Sequence, residues 1–273
     1  MSLNGAYFVK LLTNQTARLY RRSITIPRAL DRAGPAIAAL WGLVFLAASL
    51  PRVILAPSPV HGLADLVPIL LPYCLIALAP VVGYRLALAS FPAGTLTAQP
   101  EIRLSRYGRW RRLSLLDVYG NPAFGPAGLM ASLLIGLLLN VVLRSVEFLL
   151  AMPAVNFHAP RWSTLLFALM ATDVTVLSFF YTVCFVLALR GVPLFPRMLL
   201  FTWLLDLTTQ LVIAQRVAAL GGLPPLVAAN LGELLRGNVI KVLISMFVWL
   251  PYLILSERVN VTYRHRTGEE QTE

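Results

Sequence analysis

Six apolar runs, separated by short polar or basic segments, constrain the fold of this 273-residue chain more than any other feature. A helix needs about 20 apolar residues to cross the hydrocarbon core of a bilayer. The fifth and sixth runs are the shortest, but tilt and snorkelling side chains allow runs of that length to span. The sequence therefore predicts an all-α polytopic membrane protein with six transmembrane helices. The predicted spans are residues 35–55, 63–88, 128–150, 163–189, 198–216 and 239–255.

The composition is that of a membrane protein. Hydrophobic residues make up 58% of the chain and charged residues only 13%, whereas soluble domains carry about a quarter charged residues. The formal net charge is +11, but the basic residues cluster between the apolar runs. Anionic lipids of the inner leaflet account for such clusters. We therefore expect lipids as partners, and no nucleic acid.

The basic residues also predict the orientation of the chain. Most of the 23 Lys and Arg residues fall in the N-terminal segment, in the second-to-third and fourth-to-fifth connections, and in the tail. Cytoplasmic loops carry the excess of Lys and Arg, so both termini are expected in the cytoplasm. The basic first 34 residues contain no apolar core of a signal peptide, so the first span is expected to be an uncleaved anchor.

These features divide the chain into five segments. Residues 4–22 and 101–117 mix arginines with aromatic residues and leucines, as do helices that lie on a membrane surface; solvated loops are the alternative. Two prolines predict that residues 224–238 form a short surface helix ahead of the sixth span. The segments are a basic amphipathic N-terminal segment (1–34), a transmembrane helical pair (35–88), an Arg-rich interfacial loop (89–125), a four-helix membrane domain (126–264) and a polar tail (265–273).

Small and polar residues recur every four positions in the third span. Gly128, Ser132, Gly136 and Asn140 therefore share one helical face. Small residues at this spacing allow another helix to approach closely, and Asn140 can hydrogen-bond across the contact. The sequence predicts a helix-packing face here.

Charged residues within or near the predicted spans form a second candidate site. A charge in hydrocarbon costs at least ~2.5–3.5 kcal/mol, so Asp206, near the centre of the fifth span, is the most informative residue. It is either a protonatable or ion-binding carboxylate or an interhelical partner of Arg144 or Lys241. Glu147, three residues beyond Arg144, can pair with that arginine. The candidate set is Asp206, Asp173, Arg144, Glu147 and Lys241.

The sequence carries none of the common motifs of enzymes and cofactor sites. It contains no phosphate-binding loop, HExxH, GxSxG or CxxC. Cys74 and Cys184 fall inside apolar runs, which indicates no disulfide or thiolate metal site. His61, His158 and His265 lie in loops or in the tail, and the two loop histidines are expected to be unpaired surface residues. We therefore expect no enzyme activity, no cofactor and no metal site.

The chain ends in an apolar run followed by a basic tail. Trp249 and Tyr252 suit the aromatic belt of a membrane interface. Arg258 and Arg264 are expected to anchor the exit of the last helix in the lipid head groups. Asn260-Val261-Thr262 matches a glycosylation acceptor pattern, but its predicted cytoplasmic position argues against its use.

The ending VWLPYLILSERVNVTY (residues 248–263) is similar to the closing signature of a bacterial family of small membrane proteins, typically with four spans, described only as a domain of unknown function. Residues 126–149 and 191–207 resemble its first span and a loop-and-span unit. The resemblance covers about residues 126–264. It implies a four-helix unit in the bacterial inner membrane, to which this chain adds an N-terminal pair, and it implies no reaction. The matching positions are Trp249, Pro251, Tyr252, Ser256, Arg258, Val259, Thr262 and Tyr263.

Two classes of function fit these features. The packing face, the basic segments and the lack of catalytic motifs favour a non-enzymatic accessory, assembly or scaffold subunit. Such a subunit would pack against a membrane-protein partner or a second copy. The intramembrane acids Asp206 and Asp173 favour the alternative, a small-solute or ion transporter.

Overall fold

The computed structural model of the protein describes residues 3–92, 94, 97–100, 108–219 and 222–268, with side chains from residue 24 onward. The described residues form eight helices and one antiparallel two-stranded sheet. The predicted all-α polytopic fold is confirmed. The elements are α1 (Leu3–Ile54), α2 (Leu63–Ser90), β1 (Trp110–Arg112), α3 (Leu115–Gly120), α4 (Leu129–Ala151), α5 (Arg161–Leu189), α6 (Phe195–Ala218), α7 (Pro225–Leu255), α8 (Glu257–Arg264) and β2 (Arg266–Gly268).

Six of these helices are long and apolar enough to cross a membrane, and they contain the six predicted spans except for residues 55 and 128. They are α2, α4, α5, α6, α7 and the part of α1 from Ile24 to Ile54. The prediction of a separate surface helix over 224–238 is wrong, because α7 is one continuous helix of 31 residues. Pro224 and Pro225 stand at its start, where proline costs no hydrogen bond, and the next proline of the helix is Pro251.

The described part of segment 101–117 contains a short strand, and only its last three residues belong to a helix, α3. Residues 101–107 lie outside the described residues, and so do the side chains of segment 4–22. Beyond them, β1 pairs with β2 from the tail, with Trp110 opposite Gly268. Ser114 caps the N-terminus of α3: its side chain accepts a hydrogen bond from the Asp117 backbone in a capping box. The pairing joins segments more than 150 residues apart, which local sequence patterns do not reveal.

Helix α5 lies at the centre of the bundle. In the most apolar stretch of α5, 61% of the residues are buried, against 11% in α1 and 17% in α7. Helices α1 and α7 therefore lie at the periphery. Helix α2 packs along α5 so closely that a Cβ atom on Gly83 would lie 2.8 Å from the Phe179 carbonyl oxygen. The N-terminal helical pair is therefore packed directly onto the four C-terminal spans.

The two ends of the bundle differ in their side chains. The end that carries α8 and the small sheet is rich in arginine and is called the arginine end; its residues include Arg112, Arg197, Arg264 and Arg266. The opposite end holds the α1–α2 and α4–α5 loops with His61 and His158, and is called the histidine end. Two hydrophobic cores fill the bundle, one toward each end.

Candidate functional site

Three of the predicted intramembrane charges meet in one buried cluster. Arg144 on α4 donates from Nη1 to Asp173 Oδ2 on α5 at 2.7 Å, and from Nη2 to Asp206 Oδ2 on α6 at 2.6 Å. Asp206 has no exposed surface, and the other two side chains are at least nine-tenths buried. One guanidinium thus holds two carboxylates from two other helices, which is the planar two-pronged geometry that favours Arg over Lys.

Neutral polar side chains complete this cluster. Tyr181 Oη donates to Asp206 Oδ2 at 2.8 Å. Gln210 Nε2 donates to Asp173 Oδ1 at 3.0 Å, and Asn238 Nδ2 on α7 donates to Gln210 Oε1 at 3.3 Å. The network therefore links α4, α5, α6 and α7 by hydrogen bonds between buried side chains.

The cluster lies between the two hydrophobic cores. On α4, Val141 belongs to the core toward the arginine end and Phe148 to the core toward the histidine end, with Arg144 between them. On α6, Trp203 and Ile213 flank Asp206 in the same way. Apolar residues on both sides lower the local dielectric constant, and this strengthens the electrostatic interactions inside the cluster.

The ionised cluster has one more carboxylate than it has cations. Arg144 contributes one positive charge, and Asp173 and Asp206 contribute two negative charges. An uncompensated charge away from water is costly, so one bound proton or cation would make the group neutral. This excess is the chemical feature that distinguishes the cluster from a balanced ion pair.

Glu147 and Lys241 form a separate pair across α4 and α7. The expected pairing of Glu147 with Arg144 is wrong, because the guanidinium of Arg144 points to the two aspartates. Lys241 is well exposed and Glu147 partly exposed. The pair is therefore far less enclosed than Arg144 and its two aspartates.

The small-residue face of α4 points outward. Ser132 and Gly136 are exposed and Asn140 is half-buried. A Cβ atom on Gly136 would have no neighbour within 4 Å. Gly128 does not lie within the helix; it stands just before α4 with φ of 65°, a left-handed conformation that favours glycine. The remaining three residues of the face are open for contact with another molecule.

A cavity of about 240 Å³ separates α4 from α7 beside this face. It extends from Gly136 and Asn140 on α4 to Lys241 and Trp249 on α7, and it reaches the surface of Arg144 in the buried cluster. The cavity thus connects the exposed face of α4 with the charged network.

The residues of the closing signature fold α8 back onto the bundle. Thr262 Oγ1 accepts the Gly125 backbone N–H at 3.0 Å, and Arg258 donates to the Gly125 carbonyl at 3.3 Å. Tyr263 Oη donates to the Ala188 carbonyl at 2.8 Å. Val259 is fully buried. These positions hold the end of α7 against the start of α4 and the end of α5.

The other signature residues lie at the end of α7 itself. The Trp249 and Tyr252 rings meet edge to face at 5.9 Å, both partly buried against the core. Pro251 lies inside α7, and Ser256 stands between α7 and α8. Arg264 donates to the Leu253 carbonyl at 2.7 Å, and Arg258 donates to the Gly125 carbonyl; their anchoring in lipid head groups stays a prediction. Both arginines are used within the fold.

Asn260 organises the arginines at this end of the bundle. Its Nδ2 donates to the carbonyls of Ile254 and Ser256, and its Oδ1 accepts from Arg264 Nη1 at 3.0 Å and from Arg266 Nε at 2.8 Å. Because both ends of the amide are hydrogen-bonded and the residue has no exposed surface, Asn260 is not accessible for glycosylation.

A cavity of about 910 Å³ opens at the arginine end. Arg197, Arg264 and Arg266 line it together with apolar residues from the end of α7, including Leu250 and Leu253. Burial lowers the pKa of Arg264 to about 10, and the charges of Arg266 and Arg197 act in the same direction. An anion in the cavity would relieve the repulsion among these cations.

The histidine end brings together three side chains that sequence reasoning left apart. His158 Nε2 lies 3.0 Å from Asp65 Oδ1, and His61 Nδ1 lies 3.7 Å from Asp65 Oδ2. The expectation that the two loop histidines are unpaired is therefore wrong.

Sequence reasoning also missed Tyr181 and Asn238 in the buried cluster, because a single tyrosine or asparagine in an apolar run gives no signal of its partner.

Comparison with known proteins identifies no relative. No family model matches the chain, and no curated protein and no solved structure is significantly similar to it.

Proposed function

We propose that this protein is a non-enzymatic accessory, assembly or scaffold subunit that packs against another membrane protein or a second copy through the outer face of α4. The observation that carries the proposal is the open surface at Gly136, where a Cβ atom would meet nothing within 4 Å. Ser132 and Asn140 lie on the same face at helical spacing.

The physical argument is one of close approach. In a bilayer, helix association depends on van der Waals packing and on hydrogen bonds between helices, since lipid tails are as apolar as the helices themselves. Glycine and serine allow two backbones to come near, and an asparagine amide then gains a partner worth about 0.6–2 kcal/mol. The cavity between α4 and α7 gives a partner helix space beside Asn140.

The proposed location is the bacterial inner membrane, with both termini in the cytoplasm. The arginine end would face the cytoplasm, in keeping with the positive-inside rule.

Membership in the four-span family of unknown function is part of the same proposal, and it rests on the closing signature Trp249 to Thr262. Anionic lipids of the inner leaflet are the proposed lipid partners, and the cavity lined by Arg197, Arg264 and Arg266 offers them positive charge beside apolar walls.

The test is the replacement of Gly136 by Leu in the full chain. The wild-type protein, extracted gently, is expected to migrate on a native gel as a larger assembly, whereas most of the Gly136→Leu variant should migrate as the lone chain. Mass spectrometry of the excised band identifies the partner, or a second copy, and records whether anionic phospholipids accompany it.

The matched control is Gly42→Leu in α1. Gly42 is also a glycine within a span, and a Cβ atom there would likewise have no neighbour within 4 Å. This variant should migrate like the wild type. If Gly136→Leu also leaves the migration unchanged, the proposed packing face is refuted.

A second candidate function, transport of a small solute or ion, is favoured by the charge excess of the buried cluster. Asp206, Asp173 and Arg144 lie in the middle of the bundle, and the cavity between α4 and α7 reaches Arg144. In this interpretation the proton or cation that neutralises the cluster is the coupled ion.

The transport candidate predicts that Asp206→Asn abolishes uptake or proton coupling in reconstituted vesicles without lowering the yield of folded protein. The substitution keeps the shape of the side chain but removes the excess negative charge. Glu147→Gln, which changes an acid of the partly exposed pair, serves as the control and should retain activity. Normal coupling in Asp206→Asn would exclude this role.

A further inference from the structure

The histidine end holds a cluster whose chemistry suits a metal ion. His61 and Asp65 lie at the α1–α2 loop and the first turn of α2, and His158 lies in the α4–α5 loop, 93 residues after Asp65. One ligand atom from each residue can be chosen so that all three lie within 4.8 Å of one another. We propose that His61, Asp65 and His158 bind a transition-metal dication of the Zn²⁺ class.

The three ligand atoms lie close enough to converge on one ion. A Zn²⁺ ion binds imidazole nitrogen and carboxylate oxygen at about 2.0–2.2 Å in tetrahedral geometry, which places two ligand atoms about 3.3 Å apart. Asp65 Oδ1 lies 3.0 Å from His158 Nε2, and Asp65 Oδ2 lies 3.7 Å from His61 Nδ1. These two distances lie on either side of about 3.3 Å. Small rotations of two side chains therefore form a three-ligand site.

The ligand types select the class of metal. Imidazole nitrogen suits Zn²⁺, Cu²⁺ and Ni²⁺, whereas Ca²⁺ and Mg²⁺ prefer sites made of oxygen ligands. Two imidazoles and one carboxylate are a common set for zinc with one position left for water. Both histidines are exposed at the surface, so an ion can reach the site from the surrounding water.

The fold holds the two loops in place before any ion binds. Asn156 is fully buried; its backbone N–H donates to Ser58 Oγ at 3.3 Å and its Nδ2 donates to the Pro59 carbonyl at 2.8 Å. The Oδ1 atom of Asn156 accepts the His158 backbone N–H at 3.0 Å. A single buried amide thus fixes His158 against the loop that carries His61.

Asp65 is positioned in the same way. Its Oδ2 atom accepts the His61 backbone N–H at 2.9 Å. This contact orients the carboxylate and links two of the three ligands within one turn of chain. Ligands held by such supporting hydrogen bonds lose less conformational freedom on binding. A bound ion would join the α1–α2 loop to the α4–α5 loop.

The test is a zinc titration of the full chain, purified in detergent with an affinity tag that contains no histidine and freed of metal by a chelator. Calorimetry should show one saturable Zn²⁺ site per chain, and zinc should raise the melting temperature. His61→Ala and His158→Gln should each weaken the affinity at least about tenfold. The glutamine can still donate a hydrogen bond to Asp65, so the loop keeps its structure.

The matched control is His265→Asn at the arginine end. His265 has φ of 50°, a conformation that asparagine tolerates. This variant removes a histidine outside the proposed site and should bind zinc like the wild type. The absence of saturable binding in the wild type, or equal binding in the wild type and in His158→Gln, would overturn the proposal.

Discussion

The Arg144→Met variant is expected to lose about 3–5 kcal/mol of stability, the cost of breaking a buried ion pair by removing one partner. Methionine fills much of the same space but leaves Asp173 and Asp206 without their cation, between two apolar cores. Thermal unfolding of the purified variant in detergent measures the loss, and size-exclusion chromatography measures the folded fraction.

The matched control for Arg144→Met is Lys241→Met. It removes the cation of the Glu147 pair, whose side chains are 58% and 35% exposed. This pair is far less enclosed than Arg144 and its two aspartates, so this variant should lose less stability than Arg144→Met. Equal melting of the two variants would show that Arg144 contributes no more to stability than Lys241 does.

A triple variant separates charge from packing. In Arg144→Met/Asp173→Asn/Asp206→Asn the cluster has no charge, and replacing a complete buried ion cluster often costs little stability. Much of the loss seen in Arg144→Met should therefore be recovered. Continued instability would mean that the shapes of these three side chains, rather than their charges, hold the four helices together.

How far the sequence predicts the structure differs between local and long-range features. The number of spans follows from six apolar runs, because the length and hydropathy of a run are local properties. The sequence leaves open whether Asp206 pairs with Arg144. Helical spacing assigns residues to a face, but it does not fix the rotation of one helix against another. The geometry brings both aspartates to the one arginine.

The histidine cluster was beyond sequence reasoning for a related reason. His158 and Asp65 meet through two loops, and the path of each loop depends on the buried side chain of Asn156. A loop asparagine in the sequence gives no sign that it will be buried. The close contact of α2 with α5 at Gly83 has no signal in the sequence either, whereas the regular small-residue spacing on α4 lies on an exposed face.

The closing segment provides the other large effect. Asn260→Leu is expected to destabilise the protein by about 3 kcal/mol or more, since buried hydrogen bonds to charged groups contribute about 1.5–3 kcal/mol each. Leucine removes the acceptor of Arg264 and Arg266 and the donor to two carbonyls at the end of α7. Thermal unfolding in detergent is again the measurement.

Glu257→Ala is the control for Asn260→Leu within the same helix. Glu257 accepts one exposed hydrogen bond from Thr267, so its loss should change stability by well under about 1 kcal/mol. If Asn260→Leu melts like Glu257→Ala, α8 is only loosely attached and its hydrogen bonds are replaced by water. A large difference instead assigns the closing signature a structural role, because Thr262 and Tyr263 can reach Gly125 and Ala188 only while α8 is folded back.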